Sequence, residues 1–119
     1  MGKYPPSRLK DKYSDWHWRD QRFKRDALLT DIDRLWVQVR DGNPEPVAVF
    51  DLKERGAEIT WTEKVVYDWI EEKGLPVYIV WTEDSFTNFK IRRWKNGATK
   101  YFDQEEYIEF INNLCESIF

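Results

Sequence analysis

At 119 residues, with 41% hydrophobic and 17% aromatic content, the chain fits one compact domain and leaves a second without a core. The lone Cys115 excludes an internal disulfide, no apolar run approaches 18 residues, and the opening Met-Gly-Lys-Tyr-Pro-Pro lacks leader character. A reducing, cytoplasmic setting in a bacterial, archaeal or phage-infected host cell is therefore expected, away from any membrane. The net charge of −3 excludes an overall basic field, yet residues 1–30 carry +4 and the other 89 carry −7, a basic arm ahead of an acidic body.

In chain order, residues 1–14 hold adjacent prolines and little periodicity, which predicts an extended arm, and residues 15–119 a single domain. From Asp15 to Leu29 the apolar positions Trp16, Trp18, Phe23, Ala27 and Leu28 follow a loose helical period. Asp31–Arg40 alternates, with Asp33, Leu35, Val37 and Val39 on one face, as a half-buried strand does. The turn chemistry of Asp41-Gly42-Asn43-Pro44-Glu45 leads into a second strand, Pro46–Lys53, and the two should form an antiparallel hairpin. A helix over 62–73 follows, with Thr60 and Glu63 as a capping box, Val65, Val66, Trp69 and Ile70 as its stripe, and Gly74 as its stop. The continuous apolar run Leu75–Trp81 predicts a crossover strand inside the sheet. Strands at 87–94 and 99–102 come next, then a last helix capped by Asp103 and Glu106. The expected class is α/β, a mixed central sheet flanked by helices in the order α-β-β-α-β-β-β-α.

The hairpin carries the chemistry. Its inward face is apolar toward the turn but presents Asp33, Asp51 and Lys53 at the open end. Two registers are open: pairing Arg40 with Pro44 sets Asp33 opposite Asp51, and pairing it with Pro46 sets Asp33 opposite Lys53. Either brings Asp33 within about 5 to 8 Å of both. Carboxylates that close repel unless a cation lies between them, and hard oxygen ligands with room for water suit Mg²⁺ or Mn²⁺. Lys53 would then orient the attacking water or stabilise developing negative charge, completing a minimal apparatus for phosphodiester hydrolysis. The alternative is a purely structural ion-pair cluster at the sheet edge. Asp31 shares the face and would take the ligand role if the register slips by two, whereas Glu54 points to the opposite face.

The stretch DIDRLWVQVRDGNPEPVAVFDLKE, with its IDRL and FDLKE words and the facing Asp33 and Asp51-Leu52-Lys53, resembles the core of the PD-(D/E)XK nuclease superfamily and its RecB-type metal motifs. The LPVYIVW strand is similarly placed to that fold's crossover strand. The resemblance implies a restriction-endonuclease-like fold and a metal-dependent nuclease, endonuclease or exonuclease, with DNA as the commoner substrate and a homodimer as a frequent form. It also implies a further ligand from the first helix, usually Glu. This chain has no Glu before Glu45, so Asp20, then Asp15, or His17 by analogy with RecB-type enzymes, would stand in. A non-catalytic nucleic-acid-binding or protein-interaction module on the same fold is the rival expectation. Nucleic-acid phosphates would be tracked by Arg19 and Arg22 with Lys24 and Arg25, and by Lys90, Arg92 and Arg93 with Lys95 and Lys100. Outward Trp36 or Trp94 would stack on bases, or Trp36 would mark a dimer contact.

Overall fold

The computed structural model describes residues 5–23, 27–32, 35–40 and 46–117. Its elements are α1 (Pro5–Arg19), β1 (Ala27–Ile32), β2 (Leu35–Arg40), β3 (Pro46–Glu54), α2 (Trp61–Glu72), β4 (Val77–Thr82), β5 (Asn88–Arg93), β6 (Thr99–Asp103) and α3 (Gln104–Ser117). The strands form one open six-stranded sheet in chain order, antiparallel except for the β3–β4 pair, which α2 joins in parallel. The α/β class with a mixed sheet is therefore observed. The order is α-β-β-β-α-β-β-β-α, one strand more than expected. No helix among the described residues is long and apolar enough to cross a membrane.

The first thirty residues depart most from the sequence reading. Residues 5–14, expected as an arm, are helical, because proline is tolerated in the first turn of a helix, where its missing N–H has no partner to lose. Leu9, Tyr13 and Trp16 turn one face of α1 inward, a stripe that the intervening charges of Lys10, Asp11, Lys12 and Asp15 obscure in the sequence. The helix expected to run to Leu29 ends at Arg19: the Asp20 carboxylate accepts the Arg22 backbone N–H (3.1 Å), a local turn competing with the next helical turn. Ala27–Ile32 then becomes β1, an edge strand paired with β2 from Ala27 opposite Arg40 to Ile32 opposite Leu35. The single strand expected over 31–40 is thus the end of β1 and all of β2.

The β2–β3 hairpin forms as expected. Leu35 faces Asp51, Trp36 faces Phe50 and Val37 faces Val49, each pair summing to 86, which is the second of the two registers open to the sequence; a bulge then sets Val39 against Pro46. Alternation along β3 sends Ala48, Phe50 and Leu52 into a core under α1 and α3, and Val49 into a second core under α2 with Tyr67, Ile70, Val77 and Ile79. Asp51 and Lys53 continue the second face. β4 lies between β3 and β5, as its apolar run predicts.

Both predicted capping boxes are present. Thr60 Oγ1 accepts the Glu63 N–H (3.2 Å) while Glu63 Oε1 accepts the Thr60 N–H (2.9 Å), and Asp103 with Glu106 repeats the arrangement at 2.8 and 2.9 Å. Gly74, with φ +95°, closes α2 in the left-handed region. The stripe of α2 is corrected: Val65, Val66 and Trp69 are exposed, and Tyr67 and Ile70 face the sheet. Apolar side chains occupy most of this helix's circumference, so periodicity did not choose the buried face.

Candidate active site

β3 brings Asp51 to the middle of the molecule, where the residue is 3% exposed. An ionisable group on a core-facing strand position needs partners, and two helices supply them. From α2, the Tyr67 hydroxyl donates a short hydrogen bond to Asp51 Oδ2. From α1, the buried Lys10 ammonium lies 3.8 Å from Asp51 Oδ1. Two residues along β3, Lys53 donates to both oxygens of Glu63, at 2.8 and 2.7 Å. Glu63 stands one turn before Tyr67 on the inward face of α2, so one helix face delivers both a hydroxyl to the aspartate and a carboxylate to the lysine.

Burial pushes the Asp51 carboxyl above the ordinary aspartate value; the Tyr67 hydrogen bond and the Lys10 and Lys53 charges pull it back in part, while Glu63 opposes them. The Tyr67 hydroxyl is held far above its usual range by burial, then by the neighbouring carboxylate charge and its hydrogen bond. Burial alone would raise Glu63, but the hydrogen bonds from Lys53 and from the Thr60 backbone outweigh it and leave it below the usual glutamate range. The result is two carboxylates and two ammonium groups interleaved within one polar cluster.

Of the residues singled out in the sequence, Asp51 and Lys53 meet in this cluster. Asp33 lies outside the described residues, as do Lys24 and Arg25. For Asp31 the backbone belongs to β1, opposite Trp36. The first-helix candidates go elsewhere. His17 is seven residues beyond Lys10, about 10 Å along the axis, and is buried with its ring 4.3 Å from that of Phe23. Asp20 is gripped by the Arg22 guanidinium at 2.9 and 2.6 Å and by the Trp16 indole at 3.1 Å, and the Arg22 hydrogen bond lowers its carboxyl to about 2. Asp15 pairs with Arg19 on the exposed face of α1. The residue that α1 turns toward Asp51 is Lys10, a cation where the resemblance implies an acid.

The candidate phosphate contacts are dispersed. Arg22 also reaches Gln104 (2.8 Å), and Arg93 forms a two-pronged pair with Glu71 at 3.1 Å. Arg92 lies 5.0 Å above the Trp94 ring, whose indole N–H donates to Asp68 (2.7 Å), which ties the edge of the ring to α2. The side chain of Trp36 lies outside the described residues. Glu54 is exposed, as expected. Lys90 is exposed on β5 with its ammonium 4.8 Å from the Trp81 ring.

Three members of the cluster escaped the sequence reading. Lys10 fell in the supposed arm. Glu63 was legible as a capping residue, with nothing to say that its second oxygen would hold Lys53. Tyr67 stands one helical turn after Glu63, and that spacing was the one available signal. Comparison with family models, curated proteins and solved structures finds no match to this chain.

Proposed function

We propose that the chain is a divalent-metal-dependent nuclease that hydrolyses phosphodiester bonds, with DNA as the first substrate class to test and a restriction-endonuclease-like architecture as its frame. The observation that carries this reading is the buried Asp51 two positions before Lys53 on one strand face, with a second carboxylate, Glu63, brought against the lysine. Perturbed acids beside specific charge partners are what hydrolytic sites use.

The donor that suits a hard cation is the Asp51 carboxylate, since Mg²⁺ or Mn²⁺ takes one or two carboxylates and fills its remaining positions with water; both Glu63 oxygens are engaged by Lys53. Among the described residues no group of three or more acidic, His or Cys side chains converges; the further acid that the resemblance implies is Asp33, which lies outside the described residues. When bound, the ion would polarise a phosphoryl oxygen and acidify its water. The chain's own residues do the rest. Tyr67 fixes the Asp51 carboxylate, Lys10 favours its ionised form, and Glu63 holds the Lys53 ammonium where it would meet negative charge growing on the phosphate.

One observation favours a second reading, a non-catalytic nucleic-acid-binding module. Lys10 with Asp51 and Lys53 with Glu63 balance the described cluster without any metal ion. Linear, nicked, flapped and four-way DNA incubated with Mg²⁺ or Mn²⁺ separates the two. The nuclease reading expects cleavage that falls at least 100-fold in Asp51→Ala and roughly 10²- to 10⁴-fold in Lys53→Ala, with Mn²⁺ binding lost by calorimetry in Asp51→Ala and an unchanged far-UV spectrum. If Asp51→Ala cuts as well as the parent, the nuclease reading is wrong. A parent that binds DNA but neither binds Mn²⁺ nor cuts leaves the second reading standing.

A further inference from the structure

A row of four side chains crosses the sheet in register from the candidate site to the β6 edge. Lys53 pairs with Trp81, Trp81 with Lys90, and Lys90 with Tyr101. Directly paired residues project from the same face, so this row stands on the side of the sheet that carries Asp51. α2 covers only its near end, where Glu63 holds Lys53. Beyond that, Trp81 is half-buried, Lys90 is exposed and Tyr101 is 73% exposed.

The row is built as a platform. The Trp81 indole N–H donates to the Ala57 carbonyl (2.7 Å), which pins the ring by its edge and leaves a face to the Lys90 ammonium 4.8 Å away. Arg55, in the turn just after β3, adds a second exposed cation, 3.8 Å from the Glu83 carboxylate. Arg55, Trp81, Lys90, Tyr101 and Asp103 line a cleft of about 590 Å³. Strands lie about 4.8 Å apart, so the backbones of Trp81 and Tyr101 stand roughly 10 Å from one another with that of Lys90 between them.

We propose that this cleft binds single-stranded nucleic acid, with unpaired bases on Tyr101 and, as Lys90 swings from the ring to a backbone phosphate, on Trp81, and with a second phosphate on Arg55, leading the strand toward Lys53 and Asp51. Ring faces with intervening cations accept any unpaired base, whereas the bases of a duplex are stacked on one another and offer none. A neutral sugar would use the rings and leave the cations idle; an acidic peptide would do the reverse. The inference deepens the nuclease reading by naming its substrate class, and only the direction of travel rests on that reading.

The test is fluorescence anisotropy of labelled twelve-residue oligodeoxythymidine, oligouridine and a twelve-base-pair duplex with the full chain, in EDTA so that binding is read apart from cleavage. The expected result is tighter binding of one or both single strands than of the duplex. About tenfold weakening is expected in Tyr101→Ala and in Lys90→Ala, and no change in Trp69→Ala on the outer face of α2. For two phosphate contacts, log affinity against log salt should fall with a slope of about −1.4. Equal binding of duplex and single strands, or single-strand binding indifferent to Tyr101→Ala, overturns the inference. Tyr101-dependent binding by a chain that cuts nothing upholds it while the nuclease reading fails; cleavage of duplex with no single-strand binding does the opposite.

Discussion

Asp51 depends on Tyr67 more than on any cation. The phenol is buried, its hydroxyl ends on one carboxylate oxygen, and Lys10 stands 3.8 Å from the other. Tyr67→Phe keeps the ring and removes the donor, so it should cost about 1–3 kcal/mol through a desolvated acceptor left unpaired. The loss has a pH signature. Burial already holds the native Asp51 carboxyl above its unfolded value, so this group weakens the fold as pH rises from the ordinary carboxylate range toward its native value. Taking away the Tyr67 hydrogen bond, which lowers the native value, widens that window. Urea unfolding at pH 4 and pH 7.5 should therefore show a larger deficit for Tyr67→Phe at the higher pH; a deficit that is larger at pH 4 contradicts this account. At this scale the sequence was half legible. Asp51 and Lys53 stood out because charges on a core-facing strand position are out of place. Lys10, Glu63 and Tyr67 did not, because each looked ordinary on its own helix and only the packing of three elements joins them.

At the level of elements, α2 is fastened at both ends by acids with two tasks. Glu63 caps the N-terminus and holds Lys53, while Glu71 accepts the Val77 N–H (2.9 Å) and the Arg93 guanidinium, tying the C-terminal turn to β4 and β5. Burial alone would raise the Glu71 carboxyl, and the Arg93 and Val77 hydrogen bonds outweigh it, leaving it below the unfolded value. Its stabilisation is therefore complete above the unfolded glutamate pKa and fades as pH falls through the lower native one. Glu71→Gln, which keeps the acceptor for Val77, should cost about 1.5 kcal/mol at pH 7, and the gap from the parent should close on acidification in thermal melts; a gap constant with pH would show that the charge is immaterial. The helices at 61–72 and 104–117 were legible because each opens with a reciprocal capping pair. α1 and β1 were not. Proline in a first helical turn reads like a break, charges hide the inward stripe of Leu9, Tyr13 and Trp16, and pairing of β1 with β2 overrides the helical spacing of Ala27 and Leu28.

The whole molecule is a sheet with a core on each side, and β4 serves both: Ile79 faces α2 while Val80 faces α1 and α3. Ile79→Ala and Ile111→Ala empty fully buried positions in different cores, so each should cost about 2–5 kcal/mol. Because the two belong to different core clusters, their effects should add to within about 0.5 kcal/mol, in a single unfolding transition common to both. Two transitions in calorimetry would show that the layers melt separately. The α/β class and the interior place of β4 were legible from its uninterrupted apolar run. The strand count was not, since splitting 27–40 into two strands depends on pairing between them. The polar cluster spans the entry to the crossover, with Asp51 and Lys53 on β3 before it, Glu63 and Tyr67 on its helix, and Lys10 reaching in from α1. On the ribosome, a nascent chain that has completed β3 holds an aspartate with Lys10 as its one partner made so far, and a lysine whose carboxylate partner is still to come. They acquire their clamps once α2 has emerged and Val77 and Ile79 have slotted in as the floor beneath it. Premature termination ahead of Trp61 would thus release a fragment bearing the suspect pair of side chains but no assembled centre.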